Sequence, residues 1–307
     1  MGVLVPGDGQ DVIISTGHLG GLGDWMLYST LPRRFTELGH KVYVSSQNLA
    51  RNPEISDLVF AMNKYVLADS DKQENAGYRN QGLFYEIANK FPVGSIEAME
   101  RAHGLPPPYS LAPEIHYKPQ PFVIDLSQAV LVDYGAVSSN LKIEALQAFH
   151  PLMQFRFEGR QMYMVAHEDA LLATTPALDG PRIVMHSIFQ YADALASCYA
   201  WVGSEAGGQS LAAAVRGEHD VYDMSARPEI VVCSSIMTYN SRGYTYRGVD
   251  YRVTMHHSNS TADYFGTLGG WQPPEVPYAR YQEQARTSVA DARARWDDAE
   301  KKRLESA

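Results

Sequence analysis

Two glycine-rich turns carry the residues whose types and spacing could do chemistry. The first lies in VIISTGHLGGLGDWMLYSTLPRRFTELGHKVYVSS, residues 12–46, where Gly17, Gly20, Gly21 and Gly23 lead into Asp24. The second is VGSEAGGQSLAAAV, residues 202–215, which sets Ser204, Glu205, Ala206, Gly207, Gly208, Gln209 and Ser210 ahead of a run of small side chains. Glycines let a backbone bend tightly and let a ligand come close to it. A carboxylate on the first turn of a helix is held as the anion by the helix dipole, by ~0.3–1 kcal/mol. That suits a general base, and the same position suits a helix cap. Backbone N–H groups at the second turn, with the positive end of a helix behind them, suit a phosphate or a departing diphosphate. Ser204, Gln209 and Ser210 would add hydroxyl or amide donors. The alternative for Gly207 and Gly208 is close helix packing alone.

The elements that must position these turns follow from apolar patterning. Residues 12–14 form a short apolar run of the kind found in buried parallel strands. A helix carrying Trp25, Met26, Leu27, Leu31, Phe35 and Leu38 ends at Gly39, a fitting C′ residue. Residues 42–44 begin the next strand, which completes one βαβ crossover. A dinucleotide-binding reading of the turn meets three objections. The spacing is G-x-x-G-G-x-G rather than G-x-G-x-x-G. Ser45-Ser46-Gln47 stands where a ribose-binding acid belongs. Asp24 would also repel a pyrophosphate.

Further along, residues 49–58 read as a short helix and 58–60 as a strand. Residues 69–81 read as an exposed loop, and 83–90 and 95–103 as helices, the latter burying Ile96, Met99 and the stem of Arg101. LPPPYSLAPEIHYKPQP, residues 105–121, is too proline-rich for helix or sheet and reads as an extended linker. A second α/β rhythm follows. It has strands at 129–132, 161–166, 182–185 and 200–202, with 230–233 as the last, and a helix over 141–149 stopped by Pro151. Ser187 and Gln190 form a capping box for a helix over 188–198. A small-residue helix then runs up to Gly217. Residues 278–307 form a charged, alanine-rich helix. The expected fold class is α/β: two facing Rossmann-like domains, residues 1–120 and 121–277, with an interdomain cleft and the C-terminal helix.

Composition bounds the function. The 307 residues carry a net charge of −9, which argues against a broad nucleic-acid or anionic-membrane surface. Cys198 and Cys233 are the two cysteines, so there is no disulfide framework or zinc set. No apolar run is long enough to cross a bilayer and no secretory signal is evident, so a cytoplasmic protein without stable membrane insertion is expected. His256-His257 lacks a third ligand at sensible spacing and reads as a solvated pair. Tyr239, Tyr244, Tyr246 and Tyr251 form an aromatic cluster that packs a loop-rich edge or stacks on a sugar or base.

GLGDWMLYSTLP resembles the N-terminal signature of the heptosyltransferase-like glycosyltransferases, family 9, in which G-x-G-D precedes a helix reading roughly L-x-x-T-x-P. NPEISDLV (52–59) is similar to that family's N-P-x-x-D-x-V/I segment. Residues 187–214 resemble its stretch S-L-x-E-L-A-x-L-I-x-x-A-x-x-x-V-G-x-D-S-G-x-x-H-L-A-A-A. The resemblance fades over 61–128 and after 217. It implies the two-domain GT-B fold and inverting transfer from a nucleotide-diphosphate sugar, with no metal and no further cofactor. Asp24 falls on the family's catalytic base. Glu205, Ala206 and Gly207 fall on residues that hold the donor's phosphates, with Gly23, Ser204, Gly208, Gln209 and Ser210 around them. Glu168 falls near the acid that binds the nucleotide ribose, and His186 on a position that meets the base through its backbone. Lys142 or Asn140 approximates the family's phosphate-binding lysine. Apart from the resemblance, His18 and Gly21 sit in the first turn, where they would touch donor or acceptor; the alternative for His18 is a loop histidine with no duty. Ser210 stands where the family has histidine, a departure that keeps a non-catalytic sugar-nucleotide-binding protein in view. The acceptor would be a hydroxyl on lipopolysaccharide core, protein or a modified nucleobase.

Overall fold

The structure is a computed structural model. It describes residues 11–16, 20–46, 48–67, 84, 86–88, 93–135, 143–167, 180–216, 229–235, 246 and 249–254. Strand β1 (Asp11–Ile14) pairs in parallel with β2 (Lys41–Val44). Between them the chain forms two helices, α1 (Leu22–Met26) and α2 (Leu31–Glu37), where the apolar pattern predicts one. Pro32 explains the break, because it has no N–H to continue the helix and is tolerated only in the first turn of a new one, where it stands in α2. Gly39 follows α2 with φ 89°, the left-handed conformation expected of it.

Residues 58–60 are not a strand. Asn52 caps α3 (Pro53–Ser56), its side chain accepting from the Glu54 N–H, and the chain continues as a π turn over Asp57–Ala61. Leu58, Val59 and Phe60 are all buried there, and a short apolar run does not by itself separate a buried helix from a strand. Helix α4 (Ser95–Ala102) buries Ile96 and Met99 as its spacing predicts.

The second sheet has six parallel strands: β3 (Ala129–Asp133), β4 (Gln161–His167), β5 (Arg182–Met185), β6 (Ala200–Ser204), β7 (Glu229–Ser235) and β8 (Asp250–Thr254). Their spatial order is β5-β4-β3-β6-β7-β8. This is the doubly wound order, running outward from the first strand and then reversing. β7 is therefore not the last strand, as the sequence suggested. Along β3, Val130 and Val132 enter one core cluster with Phe149, Met153 and Phe157 of and beyond α5 (Ile143–Arg156). Ala129 and Leu131 face the other cluster, with side chains from α6 (Ile188–Ser197) and α7 (Gly207–Arg216). Both faces of the sheet are covered, as a parallel sheet requires.

Pro151 lies inside α5 and does not stop it. Phe149 and Met153 are buried on either side of it while Pro151 itself is exposed. Burial of such side chains contributes ~1.5–3 kcal/mol each, enough to offset the ~3 kcal/mol cost of an interior proline. The predicted cap at α6 forms with a shifted return bond: the Gln190 N–H donates to Ser187 Oγ at 2.9 Å, while Gln190 Oε1 accepts at 2.8 Å from the N–H of His186, one residue before the cap.

The proline-rich segment 105–121 has no helix or strand, as predicted, but it is tied down along its length. Arg33 Nε donates to Glu114 Oε2 at 2.8 Å, and Tyr117 Oη to Asp193 Oδ1 at 2.8 Å. It is a strap rather than a free linker. The two cores also exchange residues. Leu58 joins the cluster under the six-stranded sheet, while Ala213, Ala214 and Tyr246 join the cluster around β1 and β2. The charged helix expected over 278–307 lies outside the described residues.

Candidate functional site

The first turn is anchored from below. The Thr16 N–H donates to Asn48 Oδ1 at 2.9 Å and Asn48 Nδ2 donates to the Ile14 carbonyl, so the end of β1 is tied to the segment after β2. Gly21 precedes α1 in extended geometry, with no side-chain cap. Asp24 stands on the first turn of α1, half-buried, above the buried Trp25 and Met26. It is therefore neither lost in a core nor fully solvated.

The second turn leaves β6 at Ser204 and enters α7 at Gly207. A β-carbon on Gly207 would lie 2.8 Å from Leu22 Cβ and 3.2 Å from the Gly23 nitrogen. One on Gly23 would lie 3.6 Å from Gly207 Cα and 3.6 Å from Ser210 Oγ. The N-terminal ends of α1 and α7 thus meet backbone to backbone, which brings the Asp24 turn to the 204–210 turn. Gly208 is packed as closely on its other side, since its β-carbon would meet Tyr191 Oη at 2.9 Å and Asp133 Oδ2 at 3.0 Å. Close packing accounts for the glycine at both positions, against a helix and a buried side-chain network.

The second turn also lies at the reversal of strand order. β3 and β6 are neighbours, with Asp133 in register with Gly203, and the chain leaves them in opposite directions across the sheet. The carboxyl ends of strands at such a point form the crevice where open α/β sheets bind ligands.

Two residues here take places that the sequence does not indicate, and the first of them, Asp133, has no part in its functional reading. Asp133, 3 % exposed, ends β3. Its Oδ2 accepts from Tyr191 Oη at 2.6 Å, that hydroxyl accepts from Trp201 Nε1 at 2.8 Å, and its Oδ1 accepts from the Gly135 N–H at 2.9 Å. Burial, then the charge of Asp133, pushes the Tyr191 hydroxyl well above the ordinary tyrosine range. A lone acid closing an apolar strand was the available signal for Asp133. Tyr246 is the second. The sequence puts it in an aromatic cluster that packs a loop-rich edge or stacks on a sugar or base; in the structure its hydroxyl lies 2.8 Å from Ser210 Oγ and its ring packs in the core around β1. Burial raises the Tyr246 pKa, the Ser210 hydrogen bond opposes that, and the negative charge of Asp24 adds to it. The hydroxyl therefore keeps its proton across the physiological range, in the field of Asp24.

Ser204, Gln209 and Ser210 are almost wholly buried, whereas Glu205, Ala206 and Gly207 are half-exposed. His186 is exposed, its backbone N–H used in the return bond from Gln190. Beside it the Ile188 N–H donates to Glu54 Oε2 at 2.7 Å, so an acid from α3 reaches the N-terminus of α6. His18, Asn140, Lys142, Glu168, Tyr239, Tyr244, His256 and His257 lie outside the described residues. Among the described residues no three His, Cys, Asp or Glu side chains converge to hold a metal ion, and no helix is long and apolar enough to cross a membrane.

No family model matches the chain, and no curated protein matches it. Solved structures do. A family 9 glycosyl transferase from Veillonella parvula DSM 2008 superposes with a TM-score of 0.55 at 8% identity, over 94% of this chain and 99% of that one. The dodecameric iron-containing heptosyltransferase TibC, in complex with ADP-D-beta-D-heptose, gives a TM-score of 0.51 at 15% identity, over 94% of this chain and 76% of that one. A second structure of TibC, from enterotoxigenic E. coli H10407, gives 0.52 at 13% identity with the same coverage of each chain. At these identities the likeness is one of fold, and the fold is the one carried by the heptosyltransferase-like glycosyltransferases of family 9 that the chain's own motifs resemble.

Proposed function

We propose that this protein is an inverting glycosyltransferase that moves a sugar from a nucleotide-diphosphate donor to an acceptor hydroxyl, in a crevice between two Rossmann-like halves. The observation that carries the reading is the meeting of α1 and α7. A helix whose first turn carries a half-buried carboxylate abuts, through Leu22 and Gly23, the N-terminus of another, at the reversal point of a doubly wound sheet.

In this scheme Asp24 takes the proton of the acceptor hydroxyl as its oxygen attacks the anomeric carbon. A C–O bond forms on one face of the sugar while the bond to the diphosphate breaks on the other. The leaving diphosphate takes the electron pair. Backbone N–H groups over 205–208 and the positive end of α7 stabilise that charge. Glu205 and Ala206, half-exposed at the turn, border the donor. The scheme routes no step through a metal. TibC is described as iron-containing.

The test is Asp24→Asn. Nucleotide release from a panel of nucleotide sugars should vanish, while the thermal shift produced by ADP, GDP or UDP stays. Unchanged turnover would remove Asp24 from the mechanism. A second reading, a non-catalytic sugar-nucleotide-binding protein, draws support from Ser210, whose hydroxyl is committed to Tyr246 and buried where the family resemblance places a histidine. That reading expects the thermal shift in the wild type with no nucleotide release from any donor and acceptor.

A further inference from the structure

The turn that carries Asp24 holds a second charged group, Arg51, in the segment between β2 and α3. Its backbone N–H donates to the Gly20 carbonyl at 2.9 Å. Its stem lies over the same glycine: a β-carbon on Gly20 would stand 3.0 Å from Arg51 Cγ and 3.0 Å from the Leu49 carbonyl oxygen. Its head reaches Gly21, where a β-carbon would lie 3.0 Å from Asp24 Oδ2 and 3.8 Å from Arg51 Nη1. Guanidinium and carboxylate therefore flank one glycine.

Nearby arginines are engaged otherwise. Arg33 pairs with Glu37 and Glu114, Arg34 with Glu37 and Glu100, and Arg101 with Glu97. The exposed Arg51 head makes no hydrogen bond or ion pair with any described residue. An exposed arginine is usually a solvated side chain. This one has its backbone bonded to the glycine turn, its stem against Gly20 and its charge beside the candidate base.

We propose that Arg51 recognises an anionic group, a phosphate or a carboxylate, on the acceptor, and so determines acceptor specificity. The inference rests on the glycosyl-transfer reading and names the chemical class of the acceptor. A guanidinium fork binds a phosphate or carboxylate through paired, charge-assisted hydrogen bonds. Held beside Asp24, it anchors an anion next to the base and so places a neighbouring hydroxyl for deprotonation. A neutral acceptor gains no such anchor. The donor's diphosphate is assigned to the turn at α7, and Arg51 belongs to the turn at α1, which places the recognised anion on the acceptor.

The experiment compares the full-length wild type with Arg51→Gln, which keeps part of the stem, and Arg51→Lys, which keeps the charge without the fork. Binding of glucose, glucose 6-phosphate and glucuronate is measured by calorimetry, alongside ADP, GDP and UDP. The wild type should favour glucose 6-phosphate or glucuronate over glucose by about tenfold, the scale of one charge-assisted hydrogen bond. Whichever probe is favoured identifies the anion as phosphate or carboxylate. R51Q should bind all three sugars alike, R51K should fall between, and nucleotide binding should be the same in all three proteins. Equal affinities in the wild type, or a preference that survives in R51Q, overturn the proposal. So does a loss of nucleotide binding in R51Q, which would move the guanidinium to the donor. These readouts do not involve turnover, so an active D24N variant would defeat the transfer reading separately.

Discussion

Gly23 and Gly207 stand against each other, with the Gly23 nitrogen 3.2 Å from where a β-carbon on Gly207 would lie and Leu22 Cβ only 2.8 Å from it. At that point α7 lies against the Gly23 backbone and the Leu22 side chain of α1. The spacing between the Asp24 turn and the turn after β6 is set by that contact, which has few ways to relax.

Gly207→Ala therefore forces the two helix ends apart. Overpacking of this kind costs about 1–3 kcal/mol. The variant should melt several degrees below the wild type and lose most nucleotide release in the transfer assay. A G207A protein with wild-type stability and turnover would show that the contact is not tight.

The Ser210–Tyr246 hydrogen bond spans the two cores and is open to a double-mutant cycle. Ser210→Ala strands a buried hydroxyl, at about 1–3 kcal/mol, and Tyr246→Phe removes the other partner while keeping the ring. The double variant should cost clearly less than the two singles together. Urea unfolding of the four proteins measures the coupling, and strict additivity would mean that the bond is not formed.

His150 supplies a pH dependence. Burial lowers its pKa from the ordinary histidine value, and its ring nitrogens lie 3.2 Å from Tyr134 Oη and 3.2 Å from Gln154 Nε2. The unfolded chain then binds a proton near pH ~6.5 that the folded chain takes up only at lower pH. The contribution of the neutral ring is present above that pH and is lost as pH falls through and below it. Thermal melts at neutral and mildly acidic pH should show a smaller acid loss for His150→Gln than for the wild type, and parallel losses would rule His150 out.

Much of this architecture was legible in the order of residues, for identifiable reasons. β1, β2 and β3 to β7 are short apolar runs bounded by polar or turn residues, and the Ser187/Gln190 cap and Gly39 are local devices that need only their neighbours. The misreadings came where distant packing outweighed local preference. Leu58 to Phe60 is helical because Asn52 caps the turn before it and core residues surround it. α5 runs through Pro151 because Phe149 and Met153 are buried against the sheet. β8 follows a stretch without clean alternation.

For the site the division is similar. A glycine turn followed by Asp24, and a second turn ahead of a small-residue helix, are spelled out in the chain itself, because glycine and a first-turn carboxylate act through the backbone next to them. What the linear order could not contain is distance between remote segments. That α1 and α7 touch, that Ser210 meets Tyr246 instead of facing outward, that Asp133 holds Tyr191, and that Arg51 stands beside Asp24 were all decided by how two cores pack and exchange side chains. Burial is non-directional and summed over many residues, so no short motif records its outcome.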